Sequence, residues 1–304
     1  MKVGLVGVGR WGRKLLRVLS ELEGITPVSV TRDGRDATVS LAEVLGDTGI
    51  GAVVVATPTA THQEVVGRCL AAGKHVLAEK PLCTSTRAAR ELARTAHARA
   101  LVLRTGHTFL HHPAFAALTA EVATQSPTSI RASWRRPVPL DHDPGWELLP
   151  HPVSIVHRLA GGPPEVVRPR PWTDGHRAEL RWETGLCATV QASRLGVPRW
   201  VVEIDTRSGA RFEWTAESLR RRTGAGWQTV PHGTDEALRR ELSEFVRAVR
   251  AGDRTDVVPG ADVVATVEAV VAPGRRAAPV AGLPIGTGRG PRGPRPATTR
   301  TMRG

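Results

Sequence analysis

The sequence predicts an α/β protein in which a doubly wound parallel (Rossmann) sheet precedes a C-terminal unit built on an open, largely antiparallel sheet. Three observations predict it. The chain opens on an apolar run that ends in Gly7-x-Gly9-x-x-Gly12. Short apolar strands then alternate with amphipathic helices to about residue 105, the β-α-β order of a parallel sheet. Beyond residue 113 the pattern turns to strands in which polar and apolar positions alternate, as in half-exposed antiparallel sheets.

The first strand, the glycine turn and the first helix form one unit. The helix, from Arg13 to about Leu22, carries Leu15, Leu16, Leu19 and Leu22 on one face. Gly7 permits the tight turn, Gly9 lets the backbone approach a pyrophosphate, and Gly12 lets helix and strand pack closely. Backbone N–H groups and the positive end of the helix dipole would then face the phosphates.

Ile25 to Thr31 reads as the second strand, whose end meets the adenosine ribose in a dinucleotide fold. An acidic residue there favours NAD. Thr31 and Arg32 instead offer a hydroxyl and a guanidinium, which suit the 2′-phosphate of NADP; Asp33, two residues later, is the competing candidate for NAD.

A helical turn closes the stretch 36–45. The run 51–58 lacks alternation and stops at Pro58, as expected of a strand covered on both faces. A helix from Thr59 to Ala72 ends at Gly73; a strand from His75 to Ala78 delivers Glu79-Lys80-Pro81; a helix spans Ser85 to Ala98, capped by Thr84 or Ser85; Leu101 to Thr105 makes one more strand.

The second unit starts with a helix from Pro113 to Val122. Strand character follows at 129–135, 178–183, 186–194, 200–206 and 211–214, and helices at 235–251 and 260–271 close the unit. The expected division is therefore 1–112, 113–275 and a basic tail, 276–304, whose Gly, Pro, Thr and Arg content shows no periodicity and reads as disordered. Seven of the eight tryptophans follow residue 130. Their strands predict an outer sheet face that needs a cover, hence a homodimer or homotetramer through the 178–214 sheet.

A net charge of +13 invites a nucleic-acid reading, but arginine is spread along the whole chain and no basic helix is interleaved with aromatics. Neither nucleic acid nor membrane is an expected partner, since no apolar run approaches the ~20 residues of a membrane helix. The first strand begins at residue 2 with no signal peptide before it. Cys69, Cys83 and Cys187 show neither metal-ligand spacing nor an even count for disulfides. A reduced, cytoplasmic protein is expected. His107, His111, His112 and His157 match no zinc-site spacing, and no metal is expected.

The glycine turn, Ala56-Thr57-Pro58 with His62, Gly73-Lys74-His75-Val76 and Glu79-Lys80-Pro81 resemble the Gfo/Idh/MocA family of NAD(P)-dependent oxidoreductases over roughly residues 1 to 272. Three further stretches are similar to its nucleotide-sugar branch, which includes UDP-N-acetylglucosaminuronate 3-dehydrogenases: Gly9-Arg10-Trp11-Gly12, the segment 106–113 (GHTFLHHP) and the segment 146–151 (WELLPH). The resemblance implies that Arg10, Trp11, Thr57, Pro58, His62, Glu79 and Lys80 join the glycines at the cofactor. It also implies hydride transfer at a carbinol or ketone of a sugar, nucleotide-sugar or cyclitol, with Lys80, His151 and Glu147 as the catalytic group. NADP is the expected cofactor, with NAD as the other possibility. Other readings are a reductase of a different C=O or C=N group, and a cofactor-sensing homologue without catalysis.

The residue chemistry fits that implication. A lysine at the carboxyl end of a parallel strand stands where such sheets bind ligands, and partial desolvation lowers its pKa toward proton transfer. Pro152 suits the first position of a helix running to Ala160, which would place His151 at the helix N-terminus, where the dipole disfavours imidazolium. Glu147 stands where the family usually has aspartate, and Pro152 where the nucleotide-sugar branch usually does.

Overall fold

The computed structural model describes residues 1–30, 39–170, 172–256 and 258–272. Its first layer is β1 (Lys2–Val6), α1 (Arg10–Glu21), β2 (Thr26–Val30), α2 (Leu41–Gly46), β3 (Ile50–Val55), α3 (Thr59–Ala71), β4 (His75–Glu79), α4 (Thr86–Ala98) and β5 (Leu103–Gly106). The strands pair in parallel in the order β2-β1-β3-β4-β5. The order reverses at β1, which puts a ligand crevice beyond the carboxyl ends of β1 and β3. Helix α1 starts three residues before the leucine spacing sets it, because Gly9 caps it with backbone alone and Arg10, Trp11 and Arg13 of its first turn are exposed. Ser40 and Glu43 form a reciprocal capping box on α2, and the Ser85 side chain caps α4.

The second layer begins with a 3-10 turn (Thr108–His111) and α5 (Pro113–Ala123), followed by β6 (Pro127–Arg135), α6 (Pro144–Leu148) and α7 (Pro150–Ala160). Then come β7 (Val166–Arg170), β8 (Gly175–Arg181), β9 (Cys187–Ser193), β10 (Arg199–Thr206), β11 (Arg211–Thr215), β12 (Leu219–Thr223), β13 (Gly226–Thr229), α8 (Ala237–Ala251) and α9 (Gly260–Val271). The eight strands lie in the order β13-β12-β11-β10-β6-β9-β8-β7, antiparallel except for the parallel β6–β9 pair. The strands β7, β12 and β13 are absent from the sequence reading for a physical reason. They lie at the sheet margins, where alternation is not enforced: Pro169 interrupts β7, three arginines occupy β12, and β13 has four residues.

One face of this sheet is core. Ile130, Trp134, Leu180, Val190, Ile204, Phe212 and Trp214 pack beneath α5, α7 and α9. Of the strand tryptophans, Trp200 is half-buried and Trp227 is exposed. Trp134, Trp182 and Trp214 are buried, and the opposite face is ionic, with Arg131 and Arg211 each paired to Glu203.

The two C-terminal helices reach back to the parallel sheet. Leu238, Leu242 and Phe245 of α8 join Val3, Leu5, Leu15 and Val54 in one cluster. Helix α9 is shared: Ala261 and Val264 belong to the cluster on the other face of the parallel sheet, while Val263, Val267 and Val270 belong to the core of the eight-stranded one. Among the described residues, no helix is long and apolar enough to cross a membrane. Thr31, Arg32 and the tail from 276 lie outside the described residues.

Candidate active site

The glycine turn is built by exclusion. Gly7 has φ +98°, and a Cβ on it would stand 2.6 Å from the Ala56 carbonyl oxygen; a Cβ on Gly12 would stand 2.0 Å from that of Gly7. Gly9 differs: nothing lies within 4 Å of its Cβ position, so the backbone is open to close approach there. The helix behind it has no side-chain cap and no acidic residue in its first turn. Its first N–H groups therefore have an anion's charge to gain and no carboxylate to compete, which fits a dinucleotide pyrophosphate.

Other groups close the crevice. Trp11 at the start of α1 donates its indole N–H to the Glu79 carboxylate at the end of β4. Pro58 caps α3, and the Thr61 hydroxyl donates to the Thr57 hydroxyl over 2.8 Å. His62 is buried between two loops, with Nδ1 2.8 Å from the Pro81 carbonyl oxygen and Nε2 2.8 Å from that of Thr57. This imidazole ties the loop after β3 to the loop after β4. Burial lowers its proton affinity, and the two carbonyls oppose that effect.

Lys80 leaves the end of β4 and donates from Nζ to the backbone carbonyl of Glu147, at 3.0 Å. Burial lowers its pKa below the usual lysine range, while the Glu147 and Glu79 charges pull it back and Arg136 pushes it further down. Glu79 moves the other way: burial raises its pKa, and the Trp11 bond and Lys80 limit the rise. The Glu147 carboxylate is turned aside to His142 Nδ1, at 3.3 Å, so its backbone is what meets Lys80.

His151 sits in the first turn of α7 rather than ahead of it. The helix begins at Pro150, not at Pro152, and Leu149 joins it to α6 in a helical conformation. Both prolines are tolerated because first-turn N–H groups have no intrahelical partner to lose. The ring stacks on Trp134 with centroids 6.1 Å apart and meets the Phe109 ring edge-on at 5.1 Å. Its Nδ1 is buried without a partner among the described residues. Burial first, then the Lys80, His107 and Arg136 charges, hold its pKa well below the usual histidine value.

These groups share one cleft of about 470 Å³, lined by Arg10, Trp11, Thr57, His62, Glu79, Lys80 and His151. Phe109 and His112 of the segment 106–113 also line it, as does Arg136, which the sequence reading does not single out. The Arg135-Arg136-Pro137 stop at the end of a strand was the available signal for Arg136. The other histidines separate in role. His112 accepts from the Ala114 N–H as the cap of α5, and His111 faces Glu244 at 3.3 Å. Burial pushes His107 and His157 each down to about 3.

A family model described as "Oxidoreductase family, NAD-binding Rossmann fold" matches residues 1–107. A UDP-N-acetylglucosamine 3-dehydrogenase from Acidithiobacillus ferrooxidans is 30% identical over 214 residues, 64% of this chain and 67% of that protein. A solved structure of that enzyme, GnnA, superposes with a TM-score of 0.77 at 26% identity, covering 88% of this chain and 95% of that one. GenD2 from gentamicin A biosynthesis, solved with NAD, gives a TM-score of 0.73 at 26% identity over 89% of this chain and 93% of that one. The NADP(+)-dependent scyllo-inositol 2-dehydrogenase IolW of Bacillus subtilis is 35% identical over a shorter stretch, 35% of this chain and 33% of that protein. The glycine turn, the paired sheets and the extent of these matches lead to one assignment: this chain belongs to the Gfo/Idh/MocA family of NAD(P)-dependent oxidoreductases.

Proposed function

We propose that the protein moves a hydride between nicotinamide and a carbinol or ketone of a sugar, nucleotide-sugar or cyclitol, with Lys80 handling the hydroxyl proton and His151 bonding the same oxygen. The observation that carries this reading is the recessed Lys80 ammonium, held 3.0 Å from the Glu147 carbonyl oxygen in the cleft that Arg10, Trp11 and His151 also line. The names of the relatives, a nucleotide-sugar dehydrogenase and an inositol dehydrogenase, support a polyhydroxylated substrate.

When bound, the nicotinamide supplies or accepts the hydride. The chain's own residues manage position and proton. A lysine whose pKa is lowered by burial offers a neutral amine to take the carbinol proton in oxidation, and its ammonium returns that proton in reduction. The neutral imidazole of His151 has one donor and one acceptor, so it bonds the reacting oxygen in either direction. The three glycines, Arg10, Trp11, Thr57, Pro58, His62 and Glu79 form the cofactor wall, with Thr31 and Arg32 selecting NADP.

The three cysteines are free, in keeping with a reducing compartment such as the cytoplasm. Assembly into a homodimer or homotetramer would use the ionic outer face of the eight-stranded sheet. The experiment is turnover of a ketosugar and cyclitol panel with NADPH and NADH, followed at the nicotinamide absorbance. At least one member should react. Tight cofactor binding with no reaction across the panel would leave a sensor instead of an enzyme.

A further inference from the structure

We propose that Glu241 relays the catalytic proton between the cleft and solvent, along a chain that runs from Thr108 through Glu241 and His111 to Glu244. This rests on the oxidoreductase reading of the cleft, since the proton in question is the one on Lys80. The 3-10 turn 108–111 is a thin wall. Thr108 and Phe109 line the cleft on one side, while His107, Leu110 and His111 line a second cavity of about 350 Å³ on the other. Glu241 of α8 spans that wall. It lines the second cavity, and its Oε2 accepts from the Thr108 hydroxyl at 2.7 Å. Its other oxygen, Oε1, is buried with no hydrogen-bond partner among the described residues and stands 3.9 Å from His111 Nε2. A small rotation or a single water closes a gap of that size. His111 Nδ1 in turn faces the Glu244 carboxylate at 3.3 Å. Side-chain exposure rises from 2% at Glu241 to 19% at His111 and 36% at Glu244, so the chain leads outward.

Each group is poised to pass a proton. Because Oε2 takes the Thr108 hydrogen, the acid proton of Glu241 belongs on Oε1, the oxygen that faces His111. The Glu244 carboxylate draws the imidazole proton to Nδ1, which leaves Nε2 to accept. Burial first, then the Glu79 charge, raise the Glu241 pKa well above the usual carboxylate value, whereas the bond to His111 lowers that of Glu244. An acid inside thus feeds a base outside. Lys80 and Thr108 line one cleft, so a water between them starts the chain. His107 adds to the polar wall of the second cavity: both its ring nitrogens are buried without a partner among the described residues, and a cavity with such groups holds water. In oxidation the Lys80 ammonium gives up the proton it took from the carbinol. One proton enters at Thr108, another leaves Glu244 for solvent, and no electron moves. Reduction draws a proton inward through the same groups.

The test follows both products of a turnover by rapid mixing in weakly buffered solution, with a ketosugar or cyclitol from the panel that reacts. Hydride is read at the nicotinamide absorbance and the proton with a pH-indicator dye. In the wild type the two signals should keep step. Glu241→Gln keeps the shape and the oxygen that meets Thr108 but carries no acid proton. Its first hydride transfer should stay within about two-fold, while the proton signal lags and kcat falls on the order of ten-fold, less than the ~10²–10⁴ typical of a group at the reacting atoms. Rising imidazole concentration should shorten the lag. His111→Phe should behave the same way, and Thr108→Val should lose more than Thr108→Ser, which retains the hydroxyl. Should Glu241→Gln not fold, His111→Phe, nearer the surface, decides alone. Signals that stay in step in the variant, or a lag that imidazole leaves unchanged, overturn the relay with the oxidoreductase reading intact. A wild type that reacts with no member of the panel overturns both.

Discussion

The Lys80 ammonium is hydrogen-bonded to the backbone carbonyl of Glu147, so a side chain from the end of one sheet is anchored to the helical segment that leads into His151. The two groups assigned to the reacting oxygen are thus held relative to each other by a carbonyl that no side-chain substitution at 147 removes.

Removing either group should slow hydride transfer while the cofactor still binds. Lys80→Met retains the apolar stem and loses the amine, so kcat should fall by about 10²–10⁴-fold with NADPH affinity nearly unchanged. His151→Ala should act in the same direction and less strongly. Single-turnover oxidation of bound NADPH with a confirmed substrate measures both; unchanged rates in both variants would place the chemistry elsewhere.

Glu147→Gln separates charge from backbone. The variant keeps the carbonyl that holds Lys80 and loses a charge that raises the Lys80 pKa. In the oxidation direction kcat should rise with pH as Lys80 deprotonates, and the midpoint of that rise should move to lower pH in Glu147→Gln. A pH–rate profile checks it. A midpoint that stays in place or moves up would show that the Glu147 charge is not felt at Lys80.

The glycine turn offers a pair of opposite substitutions. Gly12→Ala drives a methyl to 2.0 Å from the Gly7 carbonyl oxygen, so it should lower the melting temperature. Gly9→Ala meets nothing within 4 Å and should leave the melt unchanged, yet weaken dinucleotide binding by occupying the space left for it. Equal cofactor affinity in Gly9→Ala and wild type would move the pyrophosphate off this turn.

Cofactor choice is tested at Arg32. Arg32→Ala should weaken NADPH binding much more than NADH binding, because a guanidinium–phosphate pair is charge-assisted. Calorimetry with both cofactors decides, and equal losses would remove the NADP preference.

Assembly is tested by light scattering at micromolar concentration, where a dimer or tetramer is expected. Because the outer sheet face is ionic rather than apolar, the assembly should weaken between low and ~1 M salt, where screening acts within about 3 Å. A monodisperse monomer in low salt would contradict it.

The parallel sheet was readable because buried strands and leucine-faced helices leave periodic marks in the sequence. The marginal strands β7, β12 and β13 leave none, since proline, arginine and short length are all permitted there. Lys80 and His151 were singled out by the family resemblance, one at a strand end and the other at a proline-flanked helix start. Their shared anchor was not: it is a backbone carbonyl 67 residues away from Lys80, and a carbonyl has no letter in a sequence.

Helix α8 packs Leu238, Leu242 and Phe245 onto Val3, Leu5 and Leu15 from the far end of the chain. The nucleotide-binding portion is therefore not a transplantable cassette. A fragment cut at residue 112 would leave those apolar residues facing water, without the Phe245 ring, whose burial alone is worth about 1.5–3 kcal/mol. Recombining this protein with a relative calls for exchanging helix α8 together with the amino-terminal sheet.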